Sequence, residues 1–211
     1  MLIRRVSNAG ILLQMDGVKL LLDGFCGGVG PYLQTPASLG EAILQDPPDL
    51  LAFTHSHPDH FDETLTARYY QQTLRPILGP ENLPCGTTTK AVSLGDVSIV
   101  PVKSRHIGKE YQNVPHLSFV IRGSKTLWFM GDAVPSQWLG VKSKCDVLIA
   151  PFAYANTKMA WELSCASADK IVLLHLPERN NDPYGLWQAV ESTTTGATNL
   201  FIPQMGETIC I

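Results

Sequence analysis

The chain is short of charge, and the charge it has is nearly balanced: 17% of its 211 residues are Asp, Glu, Lys or Arg, and the formal net charge is -3. No run of Lys and Arg supplies the positive field that holds a phosphate backbone, so nucleic acid is not an expected partner. Cysteine is sparse. Cys26, Cys85, Cys145, Cys165 and Cys210 are odd in number, widely spaced and free of any Cys-x-x-Cys pair, which argues against a disulfide framework or a cysteine zinc site and leaves reduced thiols. Also missing are a span of roughly 20 apolar residues able to cross a membrane and an apolar run of signal-peptide length behind Arg4 and Arg5. These absences predict a soluble cytoplasmic protein with no membrane partner, and they leave its oligomeric state open.

What is present is apolar: 45% of the residues are hydrophobic, enough to bury a substantial core, and the length suits one domain over residues 1–211. Leu2 to Val6, Ile11 to Met15 and Val18 to Leu22 read as strands, the last two joined at Asp16-Gly17, a strong hairpin signal. Leu50 to Phe53 is apolar throughout and reads as a central strand buried on both faces. Further strands are predicted at Ile77-Leu78, Ala91-Val92, Val97 to Val102, His116 to Arg122, Thr126 to Met130, Val147 to Ala150, Ile171 to Leu174, Leu200 to Ile202 and Thr208 to Ile211. Helices are predicted near Ser38 to Leu44, Phe61 to Gln72, Thr157 to Ala168 and Leu186 to Glu191. Turns are expected at Gly86, Gly95-Asp96 and Gly123-Ser124. The mixture is α/β, and the way each half opens with strands and later gains a helix hints at duplication. The loop Gly24 to Gly30 lacks the Lys-Ser/Thr of a phosphate-cradling loop; it reads foremost as a mobile surface loop, and secondarily as one bordering a site.

One segment concentrates chemistry. Thr54-His55-Ser56-His57-Pro58-Asp59-His60-Phe61-Asp62 carries three imidazoles and two carboxylates in nine residues. In an extended chain His55, His57 and Asp59 point to one side, while Pro58 favours a turn that brings His60 in from another direction. Mixed His/Asp sets with open positions belong to catalytic sites rather than closed structural ones, and imidazole suits zinc, iron or nickel. Asp23, His106, Asp132 and His175 each follow an apolar strand. Residues at strand tips, unlike residues inside strands, are free to meet.

The run His55-Ser56-His57-Pro58-Asp59-His60 resembles the HxHxDH signature of the metallo-β-lactamase superfamily, and His106, Gly131-Asp132 and His175 follow in that family's order. Leu22-Asp23-Gly24 resembles the early strand-end aspartate of its branch of small hydrolases similar to L-ascorbate-6-phosphate lactonase. The resemblance covers nearly the whole chain. It implies a four-layer αββα sandwich with two divalent metal ions at one edge. His55, His57 and His106 would hold one ion, Asp59, His60 and His175 the other, with Asp132 bridging and Asp23 orienting a ligand imidazole. His116 competes with His106 for its position; the strand before His106 favours the latter.

Two divalent ions about 3.5 to 4 Å apart share a water, lower its pKa to about 7 and clamp the attacked and leaving oxygens of an ester or phosphodiester. The implied activity is hydrolysis of a small ester, lactone or phosphodiester by a metal-bridging hydroxide that Asp59 orients. Zinc is the expected metal, with manganese or iron as alternatives. Arg105, Lys109, His116 and Arg179 lie beside the ligand positions as candidate contacts for a small anionic substrate. Two other readings use the same scaffold: a di-iron redox enzyme of the sulfur dioxygenase or oxygen-reducing type, and a metal-containing binding or sensing protein without catalysis.

Overall fold

The computed structural model describes residues 1–83, 87–138 and 144–211. The turn expected at Gly86 and the thiol of Cys85 lie outside them. Two sheets face each other. In the six-stranded one the order is β13-β1-β2-β3-β4-β5, and in the seven-stranded one β12-β11-β10-β9-β8-β7-β6. The first comprises β1 (Leu2–Arg5), β2 (Ile11–Met15), β3 (Val18–Leu22), β4 (Leu50–Ala52), β5 (Ile77–Leu78) and the returning C-terminal strand β13 (Thr208–Cys210). The second comprises β6 (Val92–Leu94), β7 (Val97–Lys103), β8 (Leu117–Arg122), β9 (Thr126–Phe129), β10 (Cys145–Pro151), β11 (Ala168–Leu174) and β12 (Leu200–Phe201).

Side-chain alternation sorts the strands into layers. Leu20 and Leu22, Leu50 and Ala52, Val147 and Ile149, and Val172 and Leu174 point between the sheets into one shared core. Their neighbours point outward. Leu21 and Leu51 meet Leu39 and Ile43 of helix α1 (Ala37–Gln45) and Tyr69 of α2 (Glu63–Thr73). Leu148, Ile171 and Leu173 meet Val190 of α5 (Leu186–Thr194) and Trp161 of α4 (Lys158–Ser167). Strands apolar on both faces therefore lie under helices on one side and a second sheet on the other, which gives the αββα layering. The short helix α3 (Pro135–Trp138) follows Asp132. Each sheet pairs antiparallel up to β3 or β9 and parallel beyond it, a shared plan that fits the hint of duplication.

The hairpin at Asp16-Gly17 forms with both residues at positive φ, 52° and 79°, the twist a two-residue hairpin turn requires. The Gly24 to Gly30 loop departs from the foremost expectation. The backbone N–H groups of Gly27 and Gly28 both donate to the carbonyl of Pro58, at 2.7 and 3.0 Å, so the loop is tied to the histidine segment and borders it. Among the described residues no helix is long and apolar enough to cross a membrane.

Candidate metal centre

The parallel strands deliver their tips to one edge of the sandwich, where backbone bonds join the two sheets. Leu117 N donates to Thr54 O at 2.8 Å, and His175 N donates to Asn8 O at 3.2 Å. Three tips turn in the left-handed region: Asp23 at φ 46°, Gly131 at 53° and His175 at 60°. For Asp23 and His175 that conformation carries a steric cost, which the hydrogen bonds around them offset. Gly131 has a second reason to lack a side chain, because a Cβ there would lie 2.5 to 2.6 Å from the Thr54 side chain.

After β4 the chain carries His55 and His57, then turns: His60 N and Phe61 N both donate to His57 O at 2.9 Å. The turn overrides the alternation expected from an extended chain, so Asp59 does not join His55 and His57. Instead the ligand atoms of His55, His57 and His106 gather within 4.8 Å of one another, and so do those of Asp59, His60 and His175, with His55, His60 and Asp132 as a third such group between them. An antiparallel bridge between His106 and Ala133, with Ile107 N donating to Asp132 O at 2.8 Å, sets His106 beside Asp132. Asp132 Oδ2 lies 3.5 Å from His106 Nε2 and 3.4 Å from His175 Nε2, and its Oδ1 lies 3.4 Å from His60 Nε2. One carboxylate thus reaches the edge of both histidine groups.

The hydrogen bonds behind these rings determine which nitrogen carries the proton. Asp23, fully buried, accepts from Thr54 N and Thr54 Oγ1 at 2.7 Å and from His60 Nδ1 at 2.8 Å. Since a carboxylate only accepts, His60 Nδ1 is protonated and the Thr54 hydroxyl has spent its proton on Asp23. Thr54 Oγ1 can then only accept from His55 Nδ1, 2.9 Å away. His106 Nδ1 donates to the carbonyl of Ile107. Both His55 and His106 therefore turn an unprotonated Nε2 inward, and these two nitrogens stand 3.2 Å apart. Facing lone pairs repel unless a proton or a cation lies between them. Asp59 Oδ2 meets His175 Nε2 at 3.0 Å.

Electrostatics sharpen the picture. Burial keeps His55 neutral, pushing its pKa well below the ordinary histidine value, with the neighbouring His60 adding to the effect. Burial and His106 likewise lower that of half-buried His57. Burial works against charge on His60, but Asp132 and Asp23 outweigh it and hold the imidazole well above its usual range. Burial also opposes ionisation of Asp132, yet His175 and His60 hold its carboxyl well below the carboxylate range. Asp59 is lowered as well, burial being outweighed by the hydrogen bond from His175 and the charge of His60.

A cation pair would fit these residues. His60 Nε2 and Asp132 Oδ1 are buried with no hydrogen-bond partner, a costly state for polar atoms. With the facing lone pairs of His55 and His106, they present the imidazole and carboxylate donors that zinc, manganese or iron accept.

His116 lies elsewhere in this network. Its Nε2 accepts the backbone N–H of Asp132 at 3.0 Å, and its Nδ1 lies 2.7 Å from Ser104 Oγ. The proton therefore sits on Nδ1, and the chain continues through Ser104 and Ser118 to the carbonyl of Met130. Burial pushes His116 down to about 3, which keeps it neutral. Thr54, Ser104 and Ser118 went unnoticed in the sequence, where a lone hydroxyl carries no signal. So did Tyr111, whose ring stands 5.0 Å from His57 and 5.1 Å from His106, and Tyr32, whose ring meets His175 edge-on at 4.4 Å. Burial, with Asp132 and Asp59 nearby, pushes the Tyr32 hydroxyl up.

The other candidate contacts are spread apart. Arg105 and Lys109 are exposed, on the His106 side. Arg179, beyond His175, stacks over the Trp187 ring at 3.9 Å and pairs with Glu191 at 2.7 Å.

No protein-family model matches the chain, and no curated protein matches it in sequence. Solved structures do match in shape. A possible metal-dependent hydrolase of Veillonella parvula is 16% identical over 100% of this chain and 99% of its own, with a TM-score of 0.75. The metallo-β-lactamase fold protein YhfI of Bacillus subtilis is 16% identical over 99% of this chain and 98% of its own, with a TM-score of 0.66. CmlA, a diiron β-hydroxylase of Streptomyces venezuelae, is 13% identical over 100% of this chain but 54% of its own, with a TM-score of 0.62. Two facing sheets under outer helices, their strand tips meeting at one histidine-lined edge, and this likeness to solved structures together give the chain the metallo-β-lactamase fold.

Proposed function

We propose that the chain is a dinuclear metal-dependent hydrolase, loaded with zinc in the cytoplasm, that acts on a small ester, lactone or phosphodiester. The observation that carries this reading is the convergence of two histidine groups on Asp132, with His55 Nε2 and His106 Nε2 facing each other at 3.2 Å. His55, His57 and His106 would hold one ion and Asp59, His60 and His175 the other, with Asp132 between them. Bound there, the ions would supply Lewis acidity and acidify a water enough for it to attack at neutral pH.

The chain's own residues do the rest. Asp23 holds the Nδ1 proton of His60 and, through Thr54, that of His55, so both rings turn Nε2 inward; His55 keeps its lone pair there, and on His60 an ion would take the place of the second proton. His116 anchors the backbone of Asp132. Asp59, 3.0 Å from His175 Nε2, is placed to orient the attacking water. Tyr111 and Tyr32 stand against the two histidine groups and wall the opening on either side.

The test is metal content measured together with turnover on a panel of phosphodiesters, lactones and esters. The reading expects about two equivalents of metal per chain and hydrolysis that a chelator abolishes; a chain without bound metal that zinc or manganese leaves inert would sink it. A di-iron redox enzyme is the second reading, favoured by the shape shared with the diiron protein CmlA and by a donor set that iron also accepts. Iron in the aerobically purified protein, with oxygen consumption, would select it. Full metal sites without either activity would leave a binding or sensing role.

A further inference from the structure

Behind His175 lies a cavity of about 420 Å³ that none of the proposed metal ligands lines. It is joined to the centre through neighbouring residues. Leu176, in its wall, follows His175 in the chain; Pro31 and Leu33, also in its wall, flank Tyr32, whose ring rests on His175. Its lining is mostly apolar, with Trp187 and Ile202 on one side, and two nitrogen-bearing side chains, Arg5 and Asn8, come from the first strand and the loop after it.

Both carry unspent donors. Arg5 sends Nε to Ser7 O, Nη1 to Pro203 O, and Nη2 to Asn8 O and Leu176 O, at 3.1 to 3.3 Å. That uses four of the five N–H groups of a guanidinium and leaves one on Nη1. Every acceptor is a neutral carbonyl, and no carboxylate of the described residues forms an ion pair with Arg5; the charge of Glu178 reaches it only through space, and the guanidinium sits in a largely buried place. Asn8 is 2% exposed, and its Nδ2 is buried with no hydrogen-bond partner. At the exposed rim, Glu178 stands beside Arg179, whose own charge is taken up by Glu191.

One positive charge without an ion-pair partner, one free guanidinium N–H and the two N–H of an amide match a monoanion with two oxygen atoms. A dianionic phosphate would bring a second negative charge against Glu178 at the rim. We propose that this cavity binds the carboxylate of a small organic acid, with Arg5 and Asn8 on the carboxylate and Trp187 and Ile202 along its apolar body. Placed against His175, it holds the end of a substrate that is not hydrolysed; that assignment rests on the hydrolase reading, whereas the binding itself does not.

The test uses the full, metal-loaded chain and three probes of one length, hexanoate, hexanol and hexyl phosphate, titrated by calorimetry. Hexanoate is expected to bind at least tenfold more tightly than either other probe. Asn8→Asp, which sets a carboxylate of the same size against the ligand, should weaken hexanoate at least tenfold without changing metal content. Asn8→Leu, which removes the donors without adding charge and serves if the aspartate variant does not fold, should weaken hexanoate and spare hexanol. His57→Ala separates the two proposals, since it strips a metal ligand and should leave hexanoate binding in place even if no hydrolysis is ever found. Hexanoate that fails to bind, that binds no better than hexanol, that is outbound by hexyl phosphate, or that is lost with His57→Ala and kept with both Asn8 variants would overturn the proposal.

Discussion

His116 Nε2 accepts the backbone N–H of Asp132 at 3.0 Å while its Nδ1 faces Ser104 Oγ at 2.7 Å, so both nitrogens of this ring are already engaged. His106, by contrast, spends only Nδ1 and keeps Nε2 facing His55. The two histidines that compete in the sequence for one position are thus distinguished by their bonds. His106→Ala should lose about one equivalent of metal. His116→Gln, whose amide can still accept from Asp132 and donate to Ser104, should keep both equivalents with affinity weakened about 10 to 100-fold, the usual effect of disturbing a residue behind the ligands. Metal titration of both variants decides it, and the reverse pattern would return the position to His116.

Asp23 collects three donors in a fully buried place. Asp23→Asn keeps the shape but turns one acceptor into a donor facing other donors, a conflict that costs about 3 kcal/mol when buried. It also frees the tautomers of His55 and His60, so stability in denaturant and zinc affinity should fall together. A loss of affinity with unchanged stability would mean that Asp23 does not hold the frame in the way these bonds indicate.

Much of this was legible in the sequence because the strands carry it. Leu50 to Phe53 is apolar on both faces, and the structure buries it on both; Asp16-Gly17 announced the hairpin. Strand-tip position also picked out Asp23, His106, Asp132 and His175, which the structure gathers at one edge. What the sequence could not disclose was set by the turn after Pro58 and by contacts distant in the chain. Asp59 parted from His55 and His57 because the turn broke the alternation, and the Gly24 to Gly30 loop proved to be tied to Pro58 by two backbone bonds. Tyr32 and Asn8 reach His175 from more than 140 positions away, a proximity that no local pattern encodes.

Gly131 sits at φ 53° with Thr54 pressed where a Cβ would go. Gly131→Ala adds the cost of a left-handed alanine, about 1 kcal/mol, to overpacking of about 1 to 3 kcal/mol. Because Thr54 relays Asp23 to His55, the displaced side chain should also weaken metal binding. Thermal unfolding with and without zinc should show a lower midpoint and a smaller zinc-induced rise than in the parent protein. An unchanged midpoint would mean that the close approach of Gly131 and Thr54 is dispensable.

Metal binding only to the folded chain should stabilise it by about 2.7 kcal/mol for each site at a hundredfold excess over the dissociation constant. His57→Ala, which removes one donor from the group containing His55 and His106, should forfeit about one site's share and retain the other. Unfolding midpoints across a zinc titration give the comparison. Equal stabilisation of the variant and the parent protein would separate His57 from the metals.

The last expectation concerns acid. His116 is neutral in the fold, its pKa pushed down to about 3 from the ordinary histidine value of about 6.5 chiefly by burial, and its unprotonated Nε2 is needed to accept from Asp132. Below pH 6.5 the unfolded chain takes up a proton at this position that the folded chain refuses, so stability falls as pH falls, at up to about 1.4 kcal/mol per pH unit for this one group. Between pH 6.5 and 5 the loss is about 1.6 kcal/mol. His116→Gln has no such proton to take up. Other histidines titrate in both proteins, so the informative quantity is the stability of the parent minus that of His116→Gln, measured in urea on metal-free protein at pH 7.5 and pH 5. That difference should move against the parent by about 2 kcal/mol on acidification; a difference independent of pH would mean that His116 carries its proton in the folded state and that the bond to Asp132 is not the one described.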